Sequence, residues 1–116
     1  MQTAAYVLQG ILALMFLIAG AGKVAGSDMH VKNFNRWRLP QWFRVVTGIV
    51  ELTGAALLVI GYRVEACAIA GALALGLTGV GGTLVHLRVK DPFQQTVTIL
   101  VLGLLSFAVL ILYLLM

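Results

Sequence analysis

The sequence predicts an all-α integral membrane protein, an antiparallel bundle of four transmembrane helices with an interfacial segment between the first and second. Three observations predict it. The 116-residue chain is 61% hydrophobic and only 10% charged, which leaves too little polar surface to coat a soluble globule. Its apolar residues gather into four runs that approach the roughly 20 residues a helix needs to cross a bilayer. The runs do not show the two-residue alternation of a membrane barrel strand, and four strands could not close a barrel.

The spans are expected at residues 4–22, 45–61, 64–87 and 97–115, all within one transmembrane domain covering residues 1–116. Only Tyr62-Arg63 separates the second from the third, which makes those two an antiparallel hairpin. Ala19-Gly20-Ala21-Gly22 resembles a signal-peptide cleavage site, but Met1-Gln2-Thr3 lacks the Lys or Arg of a secretory n-region, so the first span reads as a retained helix. Lys23, Lys32, Arg36, Arg38 and Arg44 flank or occupy the first loop, and Arg88 and Lys90 the third, leaving Arg63 on the other side. By the positive-inside rule, loops 23–44 and 88–92 face the cytoplasm, and both termini lie outside the cell's inner membrane. Tyr6, Tyr62 and Tyr113 then fall at the outer boundary, and Trp37, Trp42 and Phe93 at the inner one. The net charge of +4 is read as a topology signal, with the lipid bilayer as partner and no role for nucleic acid.

Segment 27–44 mixes Asp28, His30, Lys32 and Arg36 with Met29, Phe34, Trp37, Leu39 and Trp42, and a helix restarts at Pro40. Pro40 is placed in the first turn of that helix, where its missing N–H has no intrahelical partner. This composition suits an amphipathic anchor at the membrane surface. The alternative is a lid over a polar site, in which Trp37, Trp42 and Gln94, at the start of the fourth span, would line the access of a ligand.

Glu51 points to such a site. An acid at the centre of a spanning helix costs about 2.5–3.5 kcal/mol to insert, so it calls for a partner or a task. Helical spacing puts Gln9, Ala13, Phe16, Gly20 and Lys23 on one face of the first span, and Thr47, Glu51, Gly54 and Leu58 on one face of the second. Gly71, Leu75, Gly79, Gly82 and His86 share a face of the third, and Thr96, Ile99, Gly103 and Ser106 one of the fourth. Lys23 and His86 each end a descending helix, and Glu51 lies roughly 10 Å into an ascending one. The three are therefore expected to share the cytoplasmic half as a polar intramembrane cluster, with Lys23 reaching Glu51 and His86 bridging. A plain register-setting contact suits Lys23 best, whereas an intramembrane acid points to a proton, ion or ligand site. The run Gly76, Gly79, Gly81, Gly82 reads as a packing device.

Cys67 is the sole cysteine, which excludes an internal disulfide or dithiol relay. His30 and His86 are too few and too far apart in depth to ligate haem, and no Cys/His grouping suggests a metal. No catalytic residue, metal site or intrinsic cofactor site is read from the chain.

Ala19-Gly20-Ala21-Gly22-Lys23, then Leu39-Pro40-Gln41-Trp42-Phe43, then Gly48-Ile49-Val50-Glu51-Leu52-Thr53-Gly54 and a late His86 resemble the DoxX-like family over nearly the whole chain. The resemblance implies a four-helix bundle with Lys23, Glu51 and His86 as its recurring polar positions. Members of that family include a subunit of a quinone-linked oxidoreductase, a component linked with oxidative-stress complexes, and a receptor chaperone. The resemblance thus implies an accessory or quinone-linked redox subunit, with a membrane oxidoreductase partner or a homo-oligomer and quinone as the candidate cofactor. The alternatives are a membrane-protein assembly factor and a small proton-coupled transporter. The acid of small multidrug transporters lies in the first span, which argues against the last.

Overall fold

The computed structural model describes residues 2–91 and 93–116, and it is helical throughout apart from short turns. The side chains of Phe93 and Gln95 fall outside the described set, and with them the expected boundary position of Phe93. Five helices follow in order: α1 (Gln2–Ala25), α2 (Asp28–Arg36), α3 (Gln41–Ile60), α4 (Glu65–Arg88) and α5 (Phe93–Leu115). The helices α1, α3, α4 and α5 are long and apolar enough to cross a membrane. All four of these helices run beyond the apolar stretches that mark them at one end or both, because hydropathy stops at the first polar residue while backbone hydrogen bonding does not. In α3, for instance, Gln41, Trp42, Phe43 and Arg44 are already helical.

Segment 27–44 is a short helix followed by a tight turn. In α2 Phe34 is the buried side chain, while Met29 faces outward. Pro40 lies one residue before the helical turn expected to contain it, as the N-cap of α3 in an extended conformation, and its carbonyl accepts from the N–H groups of Phe43 and Arg44.

The helices pack in the cyclic order α1, α3, α4, α5, with α1 against both α3 and α5 and α4 against both α3 and α5. Close approach of backbones at small residues does much of the joining, as expected where lipid removes the hydrophobic incentive for helices to associate. Gly20 and Gly48 cross so tightly that a Cβ on Gly48 would lie 2.8 Å from the Gly20 carbonyl oxygen. On the other side, a Cβ on Gly79 would meet the Gly103 Cα at 2.5 Å, and one on Gly76 would meet the Phe107 ring at 2.8 Å. The α3–α4 hairpin is joined near its turn, where Gly54 lies under Leu75 and Gly61 against Ala68. Gly81 departs from the packing role expected for its run, because a Cβ there would meet nothing within 4 Å among the described residues.

The bundle is therefore two zipped pairs, α1–α3 and α4–α5, closed on each other at one end and splayed at the other. At the closed end Tyr113 donates from its hydroxyl to Gln9 Oε1 at 2.5 Å, and Tyr62 donates to the Tyr6 carbonyl at 2.7 Å. Leu12, Phe16, Leu58, Leu75 and Val109 fill the middle. Val7, Ile18, Ile49, Leu77 and Leu104 point outward, as they should where the surrounding solvent is hydrocarbon.

Candidate functional site

The splayed end holds the polar cluster. Gly20 and Gly48 set its geometry, because each is followed three residues later by one of the charged pair. A Cβ on Gly48 would lie 2.9 Å from the Lys23 Cβ, so the lysine stem is laid directly along α3. Side chains on a helix lean toward its N-terminus. In antiparallel helices this sends Lys23 inward and Glu51 outward, so that they meet, and Lys23 Nζ lies 2.8 Å from Glu51 Oε1. Both are largely withdrawn from solvent, with Glu51 only 3% exposed.

Lys23, Glu51 and His86 all line one cavity of about 480 Å³ between the two helix pairs. Its walls are otherwise mainly apolar, with Val46 and Val50 from α3, Val85 from α4 and Ile99 from α5, and with Thr47 and Thr78 as further polar groups. Phe34, Trp37 and Leu39, from α2 and the turn after it, form the roof. A second cavity of about 500 Å³ lies at the opposite end, among Gln2, Tyr6, Arg63 and Tyr113. That one is a wide surface depression remote from Glu51, and it contains none of the trio.

His86 does not complete the Lys23–Glu51 pair by bridging. Its Nδ1 lies 2.6 Å from Asp91 Oδ2, off the line of a formed N–H hydrogen bond, and its ring stands edge-on to Trp37 at 5.0 Å. Asp91 is the centre of a separate network. Its side chain is 1% exposed, accepts from Trp37 Nε1 at 3.0 Å and pairs with the Arg36 guanidinium. Arg88 in turn donates to the Trp37 carbonyl at 2.5 Å. Burial works to raise the Asp91 pKa, but the Trp37 hydrogen bond, the Arg36 charge and His86 outweigh it and hold the carboxyl below its usual range.

Two turns carry this network. Leu39 N–H returns to the Phe34 carbonyl around Arg38 at φ 60°, and Asp91 N–H returns to the His86 carbonyl around Lys90 at φ 58°. Both residues sit in the left-handed region that disfavours a Cβ, at a cost of roughly 1–2 kcal/mol each. Such strain collects where surrounding contacts fix a functional geometry. Gly26, at φ 76°, makes the equivalent stop after α1 without that cost.

The other side of the roof is fixed through Arg44, which donates to the Lys23 carbonyl and, through Nε at 2.8 Å, to Gln41. Gln41 donates to the Val31 carbonyl at 3.1 Å and to Asn35 at 2.8 Å. His30 rests against Gly22, and burial, followed by the charges of Lys23 and Arg44, lowers its pKa.

Of the residues expected to line ligand access, Trp37 lies in the roof. Trp42 is 66% exposed with its ring against Phe43, and Gln94 is exposed at the start of α5, where its carbonyl accepts from Thr98. Asp91 and Arg36 were not singled out as site residues by sequence reasoning, which used Arg36 for topology and for the amphipathic character of segment 27–44. The available signal was an acid five residues after His86 in an otherwise basic turn.

No curated protein and no solved structure matches the chain. A family profile matches residues 7–109, a segment that contains Lys23, Glu51, His86 and Asp91, and by that match the chain belongs to the DoxX-like family.

Proposed function

We propose that this DoxX-type membrane protein is an accessory, quinone-linked redox subunit whose roofed cavity holds a quinone head group. The observation that carries the reading is the cavity of about 480 Å³, in which a buried Lys23–Glu51 pair and His86 face otherwise mainly apolar walls. That donor set suits a flat ring with two carbonyl oxygens: the Lys23 ammonium and a His86 N–H can donate to oxygen, and the valines and Ile99 accommodate the ring. A quinone accepts two electrons and two protons. The chain's own part is to orient the ring, to exclude water beneath α2 and to offer Glu51 and His86 as proton-handling groups, while a partner oxidoreductase supplies the electrons. On the same grounds the protein lies in the inner membrane with both termini outside, since the segment from Lys23 to Arg44 and the residues Arg88 and Lys90 bring seven of its eight basic residues to one end.

Native mass spectrometry of the protein, extracted gently from its own membrane, tests this. The expected result is a bound quinone together with an oxidoreductase chain, with the quinone lost in Lys23→Met and Glu51→Gln. A non-redox membrane client without quinone would favour the assembly-factor reading instead. A bare homo-oligomer would shift the weight to transport.

A further inference from the structure

We infer that the cavity opens sideways into the bilayer between α3 and α4, that Gly81 keeps this opening clear, and that the ligand is therefore an amphiphile whose hydrocarbon tail leaves through it. The inference rests on the reading of the cavity as a ligand site and adds the class of molecule it takes. Val46 and Val50 line the cavity and are also 43% and 40% exposed, so they form its rim on the outer face of α3. Gly81 is the facing rim on α4, exposed and with open space where its side chain would be.

The opening follows from how the helices are joined. The α3–α4 contacts made at Gly54, Gly61 and Gly71 all lie in the half of the hairpin near its turn. Toward the other end Gly48 is taken up by α1, while Gly79 and Gly82 are taken up by α5 at Gly103 and Ile99. The two strips of helix that should meet there are each occupied elsewhere, and the cavity lies between them. Gly81 is about 10 Å along α4 from Arg88 at 1.5 Å per residue, inside the apolar span, so the opening faces lipid tails. Roofed by α2 on the aqueous side and open to hydrocarbon on the other, the site admits a tailed molecule head first. The polar head meets Lys23 and Glu51, and the tail stays in lipid at no desolvation cost.

The test measures binding of two probes to the purified full chain in lipid nanodiscs by quenching of tryptophan fluorescence: a decyl-tailed benzoquinone and the same ring without a tail. Gly81→Phe and, from the opposite rim, Val50→Phe should weaken the tailed probe by about tenfold or more, because a ring in the opening overpacks the tail. The tailless probe should bind Gly81→Phe as it binds the wild type, and Gly81→Ala should bind both normally; Val50→Phe is read with the tailed probe, because Val50 also forms part of the wall beside the ring. An unchanged affinity of the tailed probe for both phenylalanine variants overturns the opening; if Lys23→Met still weakens both probes, the site itself stands. Failure of both probes to bind the wild type overturns the site reading and the opening with it.

Discussion

Removing the charges of the Lys23–Glu51 pair singly and together should give unequal costs that do not add. At 2.8 Å the gross attraction is roughly 6 kcal/mol for an effective dielectric of about 20, and desolvation of the two ions opposes most of it. The side chains are 14% and 4% exposed, so the pair belongs to the buried class, in which orphaning one partner costs about 3–5 kcal/mol. Lys23→Met, which strands the deeper carboxylate, should fall in that range. Glu51→Leu should cost less, about 1–3 kcal/mol, because Lys23 is within a turn of the end of α1 and can turn its ammonium toward water. The double variant Lys23→Met/Glu51→Leu removes both ions and should return to within about 1 kcal/mol of wild type. Unfolding by sodium dodecyl sulfate in mixed micelles, followed by circular dichroism, measures all four proteins. Single costs that add to the double cost within about 0.5 kcal/mol, or a larger cost for Glu51→Leu than for Lys23→Met, would refute the argument.

The helix crossing that positions this pair should be as sensitive as the pair itself: Gly48→Ala forces α1 off α3 and should lose about 1–3 kcal/mol in the same assay, while Gly81→Ala stays within about 0.5 kcal/mol of wild type. At the closed end, Gln9→Leu leaves the Leu58 carbonyl and the Tyr113 hydroxyl without their partner and should cost about 1–3 kcal/mol, with Gln9→Leu/Tyr113→Phe costing less than the two singles combined. The docking of α2 should loosen in two acid steps, read as amide exchange protection around Trp37. The His30 pKa is depressed on folding, so its contribution is full above about 6.5 and erodes as pH falls below that value; the Asp91 pKa is also depressed, so its contribution is full above about 3.9 and is lost only through its lower folded value. His30→Gln should abolish the first step and keep the second; persistence of the first would show that another group drives it.

The helices and their inner faces were legible because two patterns coincide. In α1 the residues spaced by four and three, Gln9, Ala13, Phe16 and Gly20, are buried together with Ala5 and Leu12, and in α3 Glu51, Gly54 and Leu58 are buried together with Gly48 and Ala55. Apolarity alone could not have separated these faces from the lipid side, where Val7 and Ile18 are just as hydrophobic; the small and polar residues marked them. Partners across helices were less legible, since they depend on register. Gly20 meets Gly48 and Gly79 meets Gly103, while Gly81, in the same run as Gly79, meets none of the described residues. The Asp91 network was hidden for a different reason. Its two turns pass through left-handed residues that are Arg38 and Lys90, so the glycine that usually advertises such a turn is missing.

That difference in how the parts are joined separates the stability of the bundle from the stability of its roof. The helix pairs are held by backbone approach at glycines, contacts that are lost only when helices part. In α2 the buried apolar side chain is Phe34, a single anchor beside the polar ties to Asp91, Arg44 and Gln41 that complete its seating. Polar ties of this kind can break singly without unzipping either pair. The region that covers Lys23, Glu51 and His86 should therefore open at a lower free energy than the bundle unfolds, which gives the site a route to water distinct from its route to lipid. A site that exchanges a tailed ligand with the bilayer and protons with the aqueous phase needs both routes. The splayed end supplies them on different faces, the gap between α3 and α4 on one side and the tethered helix on the other.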